Sequence, residues 1–181
     1  MKKLLVGIIL ALGSQTGAYA QFYSVRTNVS GLLTGNLNLE YGMTLNKKWS
    51  MHIPIQYNPF IYSSTKNTKF QNLTIMPGVR WWTEESYRKH FIGLYGVASH
   101  YNVGNIWNDN RYDGDGFGAG LSVGCAYPIS PRFNFEWEAG LAALWCSYDK
   151  FVARKNGYLF GHYTKWHLVP SKVAFNVTYL F

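Results

Sequence analysis

The sequence predicts an all-β fold, an eight-stranded antiparallel up-and-down transmembrane β-barrel. Three observations predict it. Apolar and polar residues alternate with a period of two along eight segments, most of them about ten residues long. The connections between these segments alternate between short turns and longer loops. The composition is rich in aromatics (18%) and glycine (18 residues) but only 14% charged, whereas soluble domains run near a quarter charged.

A leader precedes the fold. Met1-Lys2-Lys3 is a short basic head, Leu4 to Leu12 is apolar except for Gly7, and Ala18-Tyr19-Ala20 is a small-x-small site. Residues 1–20 therefore read as a secretory signal peptide, with cleavage expected before Gln21. The apolar run is too short to span a bilayer comfortably, and no lipobox-type cysteine follows it. Residues 21–181 suffice for one domain and contain no later run of 18 apolar residues, so no transmembrane helix is expected. The formal charge of +8 includes the two lysines of the leader. It suits anionic lipid headgroups or nucleic acid, and export argues against nucleic acid.

The first expected strand runs from Phe22 to about Leu33. The second, Asn36–Leu45, sets Leu37, Leu39, Tyr41, Met43 and Leu45 against Asn36, Asn38, Glu40, Gly42 and Thr44. The third, Trp49–Asn58, sets Trp49, Met51, Ile53, Ile55 and Tyr57 against Ser50, His52, Pro54, Gln56 and Asn58. The fourth is Phe70–Thr83 and the fifth His90–Asn102. The sixth, Gly116–Tyr127, sets Phe117, Ala119, Leu121 and Val123 against Gly118, Gly120, Ser122 and Gly124; the seventh, Phe133–Trp145, sets Phe135, Trp137, Ala139 and Leu141 against Asn134, Glu136, Glu138 and Gly140. The eighth is the closing run "SKVAFNVTYLF". Asn46-Lys47-Lys48, Glu84–Lys89 and Pro128–Arg132 are short turns; in the intervening set only the first connection, Thr34-Gly35, is tight. Pro59–Lys69, Val103–Asp115 and Ser147–Pro170 are the longer loops, expected outside, with both termini on the periplasmic side.

Periodicity does not say which face points inward. Three features favour a polar interior. Glycines recur on the polar face, where they make room for long polar side chains from neighbouring strands. The charges there are few and of both signs, namely Arg26, Glu40, Arg80, Glu136, Glu138 and Lys172, which suits a paired luminal network. Aromatics recur at the ends of the apolar faces (Tyr41, Trp49, Tyr57, Trp81, Tyr95, Trp137, Trp145, Tyr179 and Phe181), as in interfacial girdles. Eight strands leave a lumen just filled by side chains, so no wide solute channel is expected. In the last strand Phe175, Val177, Tyr179 and Phe181 would face lipid, with Lys172, Asn176 and Thr178 in the lumen. That strand is expected to pair with the first around Val25–Val29. Phe175, Tyr179 and the terminal Phe181 resemble the signal read by the outer-membrane assembly machinery.

Candidate chemistry is sparse. Ser99 and His100 invite a lipid-directed hydrolase, but adjacent residues on a strand point to opposite faces, so another serine would have to serve. Asp109, Asn110, Asp113 and Asp115 hint at calcium without the required spacing or terminal glutamate, so a polar loop is the stronger reading. "GDGFGAG" lacks the spacing and the helix of a phosphate loop. Cys125 and Cys146 are expected to be free: with Cys125 opposite about Asn134, Cys146 lies on the order of 40 Å away along the hairpin. Glu136 and Glu138 read as members of the luminal network rather than as an acid/base pair. No metal or cofactor is expected.

"NLNLEYGMTLNKKWSMHIPIQYNPF", "PGVRWW", "HFIGLYGVASHYNVG", "RYDGDGFGAGLSVG", "RFNFEWEAG", "YDKF" and "VPSKVAFNVTYLF" resemble the domain-of-unknown-function 3575 family of Bacteroidota outer-membrane barrels. The likeness covers nearly all of the exported chain; "KKWSMHIPIQYNPF" is its most specific part, and Ser147–Pro170 departs most from it. It implies an outer-membrane location and genes often found near fimbrial-type genes, and it implies no reaction. No helical or peptidoglycan-binding periplasmic domain is evident, so peptidoglycan anchoring is not implied. The leading expectation is a non-enzymatic barrel with a structural, adhesion or envelope-organising role through its outer loops. Its expected partners are outer-membrane lipids, the assembly machinery and fimbrial or other surface proteins. The alternatives are a lipid-modifying outer-membrane enzyme and a soluble lipocalin-like carrier in the periplasm.

Overall fold

The computed structural model describes residues 23–63, 68–106, 109–153 and 157–181. The expected signal peptide lies outside the described residues, as do Phe22 and short stretches of the three longer loops (64–67, 107–108 and 154–156). The elements are β1 (Tyr23–Asn28), α1 (Val29–Leu33), β2 (Leu37–Asn46), β3 (Trp49–Asn58), β4 (Ile61–Ser63), β5 (Thr68–Ile75), β6 (Gly78–Trp82), β7 (Lys89–Gly104), β8 (Asn110–Pro128), β9 (Phe133–Val152) and β10 (Leu159–Leu180).

All pairings are antiparallel, and the sheet closes on itself. β1 pairs with β2 on one side and β10 on the other, with Arg26 opposite both Glu40 and Thr178. β5 and β6 together occupy one place in the ring: β3 meets β5 at one end and β6 at the other, and both pair with β7. The ring therefore has eight places. The pairing can be followed from Ser24 through Gly42, His52, Gly78, Tyr95, Gly120 and Ala142 to Val169. Ser24 itself pairs with Leu180. The walk thus returns to β10 displaced by the eleven residues between Val169 and Leu180, one of them absorbed by the irregularity between Pro170 and Lys172. A stagger of this size obliges the strands to tilt, by about 35–45°, for the sheet to close. Closure removes the edges at this level: Tyr23 and Phe181 exchange backbone hydrogen bonds of 3.0 and 2.9 Å, so the last residue is still tied into the ring.

Three expected elements differ. The first strand stops at Asn28 rather than Leu33. The Asn28 side chain accepts from Gly31 N (3.2 Å) and from the Ser30 hydroxyl (2.6 Å), which draws the chain into the short helix α1, and Gly35 at φ 77° turns it back. These local side-chain bonds compete with the ladder. The fourth strand is broken at Met76-Pro77, because proline has no N–H for the ladder. Two bonds carry the wall across the break, Met76 N to Pro54 O (3.0 Å) and Gly96 N to Pro77 O (2.8 Å). Finally, the longer loops are largely strand. β4 lies inside Pro59–Lys69, β8 begins at Asn110, and most of Ser147–Pro170 is the continuation of β9 and β10.

One side of the ring is consequently taller. β8, β9 and β10 have 19, 20 and 22 residues, against 6, 10 and 10 for β1, β2 and β3. β5, β7, β8, β9 and β10 form a wall standing above the α1 side. β1 accompanies β10 only as far as the Asn28–Asn176 pair. Above it, no described strand pairs with that edge of β10.

The interior is layered. Near the short turns, Trp82, Tyr87, Phe91 and Ala126 form an apolar floor with Leu180 against it. Charged side chains follow. Above them Met76, Tyr95, Val97, Ala142 and Leu144 form a second apolar layer. Glycines admit the rings: a Cβ on Gly120 would stand 2.6 Å from Tyr95, and one on Gly124 would stand 2.4 Å from Phe91. The polar-face glycines at these positions thus make room for aromatic rings rather than for long polar chains. Tyr95, expected at the apolar rim, points inward for the same reason.

Candidate functional site

Arg26, Glu40, Arg80, Glu136, Glu138 and Lys172 come from five places in the ring, and all are buried. The period of two carries each to the inner face, and they meet in one cluster. Arg26 donates to Glu40, to Glu136 (2.7 Å) and to Glu138 (2.9 Å). Arg80 donates to Glu40 (3.0 Å) and Glu138 (2.6 Å), and Lys172 donates to Glu138 (3.0 Å). Three cations thus face three carboxylates, and Glu138 touches all three cations. Such a cluster balances charge without water only when its remaining lone pairs are also satisfied.

Neutral groups satisfy them, and sequence reasoning did not single these out. Trp82 Nε1 donates to the Ser50 hydroxyl (2.7 Å), which lies 2.6 Å from His52 Nε2. With that hydroxyl donating to Nε2, His52 Nδ1 carries the proton and donates to Glu40 Oε1 (2.8 Å). The Thr178 hydroxyl donates to Glu136 (2.8 Å). The guanidinium of Arg80 stacks on Phe91 and the ammonium of Lys172 lies 4.2 Å from the Tyr95 ring centre. The signal for Ser50 and His52 was available: both alternate on the polar face of β3. Together with the apolar layers, this plug fills the lumen at mid-height. A polar cavity of about 300 Å³ remains between the plug and α1, lined by Asn28, Asn38, Gln56 and Asn176.

Outward, the polarity is reversed. Leu121 (63% exposed), Leu168 (74%), Leu141, Phe117, Ile92, Leu94, Val173 and Phe175 are exposed apolar residues. Phe175, Tyr179 and Phe181, grouped in the sequence as an assembly signal, lie within this exterior band. Phe175 stacks with Phe135 and Phe181 with Tyr23, and Tyr179 packs at a tilt against Phe133.

The remaining chemical candidates sort onto the tall wall. Ser99 points inward to Thr74 (2.7 Å), whereas His100 points outward to Asp115 (2.8 Å), so the adjacent pair diverges. Asp113 is held by Arg111 (2.6 Å) and Asn102 (2.9 Å), within a strand rather than a loop. "GDGFGAG" is also regular strand. Cys125 and Cys146 are free; Cys125 stands opposite Trp137, three residues from the expected register, and Cys146 opposite Gly116. One cluster was not anticipated. His162 Nε2 lies 3.0 Å from Ser147 Oγ, and its Nδ1 lies 2.9 Å from Asp149 Oδ1. On the inner side of the same wall, Phe70, Tyr101, Val103, Ile106, Leu144 and Val169 line an open cup of about 480 Å³.

Fold and interior define a class: a closed eight-stranded antiparallel ring with an ion-plugged interior and an apolar exterior. Residues 5–181 match the family model described as "Protein of unknown function (DUF3575)", and the chain belongs to that family. A comparison with curated proteins finds no match.

Proposed function

We propose that the ring crosses an outer membrane and that the protein acts there as a plugged barrel, a structural and adhesive or envelope-organising element working through its tall outer wall. The inverted polarity carries this reading. Six buried ionisable groups at the centre and leucines exposed outside support an exterior solvent of hydrocarbon. Dimensions agree. On β9 the outward residues from Phe133 to Trp145 are all aromatic, Leu or Ala. That stretch is about 40 Å long and, tilted by about 40°, rises roughly 30 Å, the thickness of a bilayer core. The short turns then lie on the periplasmic side.

The plug argues against solute conduction and against a lipocalin-like carrier, whose lumen must hold a ligand at the level occupied here by ions. The wall favours a docking role. Above Asn176 no described strand pairs with that edge of its outermost strand, β10, and beyond Trp166 an extended segment of a fimbrial or other surface protein could add there as a further strand. The expected lipid contact is the apolar band, and Phe175, Tyr179 and Phe181 would serve recognition by the assembly machinery.

Fractionation of cells together with gel migration before and after heating tests the membrane reading. The folded chain is expected in the outer-membrane fraction and migrating differently once boiled. Recovery in the soluble periplasmic fraction would overturn it. Photo-crosslinkers at Tyr163 or Lys165, beyond the Trp166 level, in intact cells are expected to trap a discrete surface protein.

A further inference from the structure

The geometry assigns a second site. We propose that Ser147, His162 and Asp149 are the nucleophile, base and orienting carboxylate of a serine esterase centre that cleaves acyl ester bonds of membrane lipid at the outer boundary of the bilayer. The location, though not the hydrogen-bond geometry, rests on the membrane reading above.

Register builds the site. Antiparallel pairing sets Ser147 opposite Thr164 and Asp149 opposite His162. Residues two apart on a strand share a face, so all four project outward together with Trp145 and Trp166, whereas Cys146 and Tyr148 line the cup within. Asp149 accepts from His162 Nδ1–H at 2.9 Å, which fixes the tautomer and leaves Nε2 as the acceptor for the Ser147 hydroxyl at 3.0 Å. These are the contacts a serine nucleophile requires. Thr164, across from Ser147 on the same face, places a hydroxyl donor beside the reacting carbonyl. On the other side of Ser147 stands Asp115, whose carboxylate is engaged by His100 at 2.8 Å.

Position selects the substrate. Trp145 and Trp166 pack edge to face at 5.2 Å on the exterior. Below them the outward residues of β8 and β9 are apolar. Above them come His100, Asp113, Asp115, Ser147, Asp149, His162 and Thr164. Paired tryptophans at such a change of polarity mark headgroup level. Ser147, two residues beyond Trp145, lies about 7 Å farther along the strand and, with the tilt of about 40°, about 5 Å farther out. The ester linkages of an outer-leaflet lipid lie at that depth, and its acyl chains can lie against Leu121, Leu141, Leu168 and Val173, which line one outer groove.

The reaction balances without a cofactor. Ser147 Oγ attacks the ester carbonyl carbon as its proton passes to His162 Nε2. The carbon–oxygen bond to the lipid alcohol breaks, and His162 returns the proton to the departing oxygen. Water, deprotonated by His162, then attacks acyl-Ser147. The fatty acid leaves and Ser147 Oγ takes back the proton.

The test uses the full chain, folded in detergent and reconstituted into two sets of vesicles. One set is phospholipid alone; the other carries lipopolysaccharide in its outer leaflet. Free fatty acid is followed by mass spectrometry, and labelling by a fluorophosphonate is mapped to its residue. Release from either set, with label on Ser147, supports the site and names the lipid. Ser147→Ala is expected to abolish both label and release, and Asp149→Asn to slow release about 100-fold or more. Thr164→Val serves as a positioning test: release falls while labelling of Ser147 persists. If the chain shows heat-modifiable migration and floats with the vesicles, yet releases no fatty acid and takes no label, the site is wrong and the barrel reading stands. If it fails to insert, the barrel reading fails; labelling at Ser147 and cleavage of a soluble nitrophenyl butyrate then judge the site alone. Release unaltered by Ser147→Ala overturns it as well.

Discussion

The two halves of the ring are built on opposite solutions. In the lower half every strand has two neighbours, the polar groups of the plug point inward, and each plug cation has a carboxylate. In the upper half one edge of β10 is paired by no described strand, polar groups stand on both faces of the wall, and the inner face is a cup in which Phe, Tyr and Val are joined by His167 and Cys146. Stability belongs to the first half. The proposed recognition and chemistry are placed in the second, where Ser147, Asp149 and His162 stand together on the outer face. The short strands β1, β2 and β3 stop where the lower half ends.

The sharpest way to break this contrast is Glu138→Ala. The substitution leaves Arg26, Arg80 and Lys172 facing two carboxylates inside a buried plug. Removing one partner of a buried ionic cluster costs roughly 3–5 kcal/mol. A clear fall in the melting temperature in detergent is expected, against a small change for Leu121→Ala on the exterior. Equal shifts for the two variants would mean that the plug is not what holds the ring.

Gly120→Val comes next. A Cβ there meets the Leu141 carbonyl and the Tyr95 ring, each at 2.6 Å. The Leu141 oxygen is backbone and cannot yield cheaply, so a loss of about 1–3 kcal/mol is expected, the range for overpacking. Gly116→Val, whose Cβ meets nothing closer than 3.4 Å, is the matched control higher on the same strand, and it should cost far less.

How much of this was legible in the sequence follows the same division. The lower strands could be read because one face is apolar and the other is not. The Leu37–Leu45, Trp49–Tyr57 and Phe133–Leu141 alternations mark them directly. Above the Trp145–Trp166 level both faces of β9 and β10 carry polar residues, so the period of two disappears and Ser147–Pro170 looks like a loop. The Ser147–His162 contact was invisible for a further reason. It joins residues fifteen apart, and only the register of a strand not yet recognised brings them together. His52 was visible as a polar-face residue but not as a partner of Glu40, since nothing local says which strand faces which across a lumen.

Removing Phe181 has a smaller equilibrium effect and a larger kinetic one. Tyr23 loses both of its closing hydrogen bonds and one stacked ring, a loss of about 1–2 kcal/mol. Export is expected to continue while the amount of assembled barrel falls several-fold, read as heat-modifiable protein in the outer-membrane fraction against protein held in the periplasm. Normal assembly of the shortened chain would remove Phe181 from the recognition signal and leave it a closing residue only.

The smallest effect on stability is expected where the most strand is removed. Replacing residues 150–161 by Asn-Gly joins Asp149 directly to His162, which already face each other in register, and Asn-Gly suits a two-residue hairpin turn. The deleted residues contribute to neither the plug nor the closed part of the ring. The melting temperature should therefore move by the equivalent of less than about 1 kcal/mol, in line with other changes remote from packed groups. Crosslinking to a surface partner through the β10 edge should fall only in part, because residues 159–161 of that edge are gone while the stretch from His162 to Phe175 remains. Ser147, Asp149 and His162 remain, so ester cleavage should persist. A large loss of stability from this deletion would show the wall to be part of the core, and the division between a stabilising lower half and a working upper half would have to be abandoned.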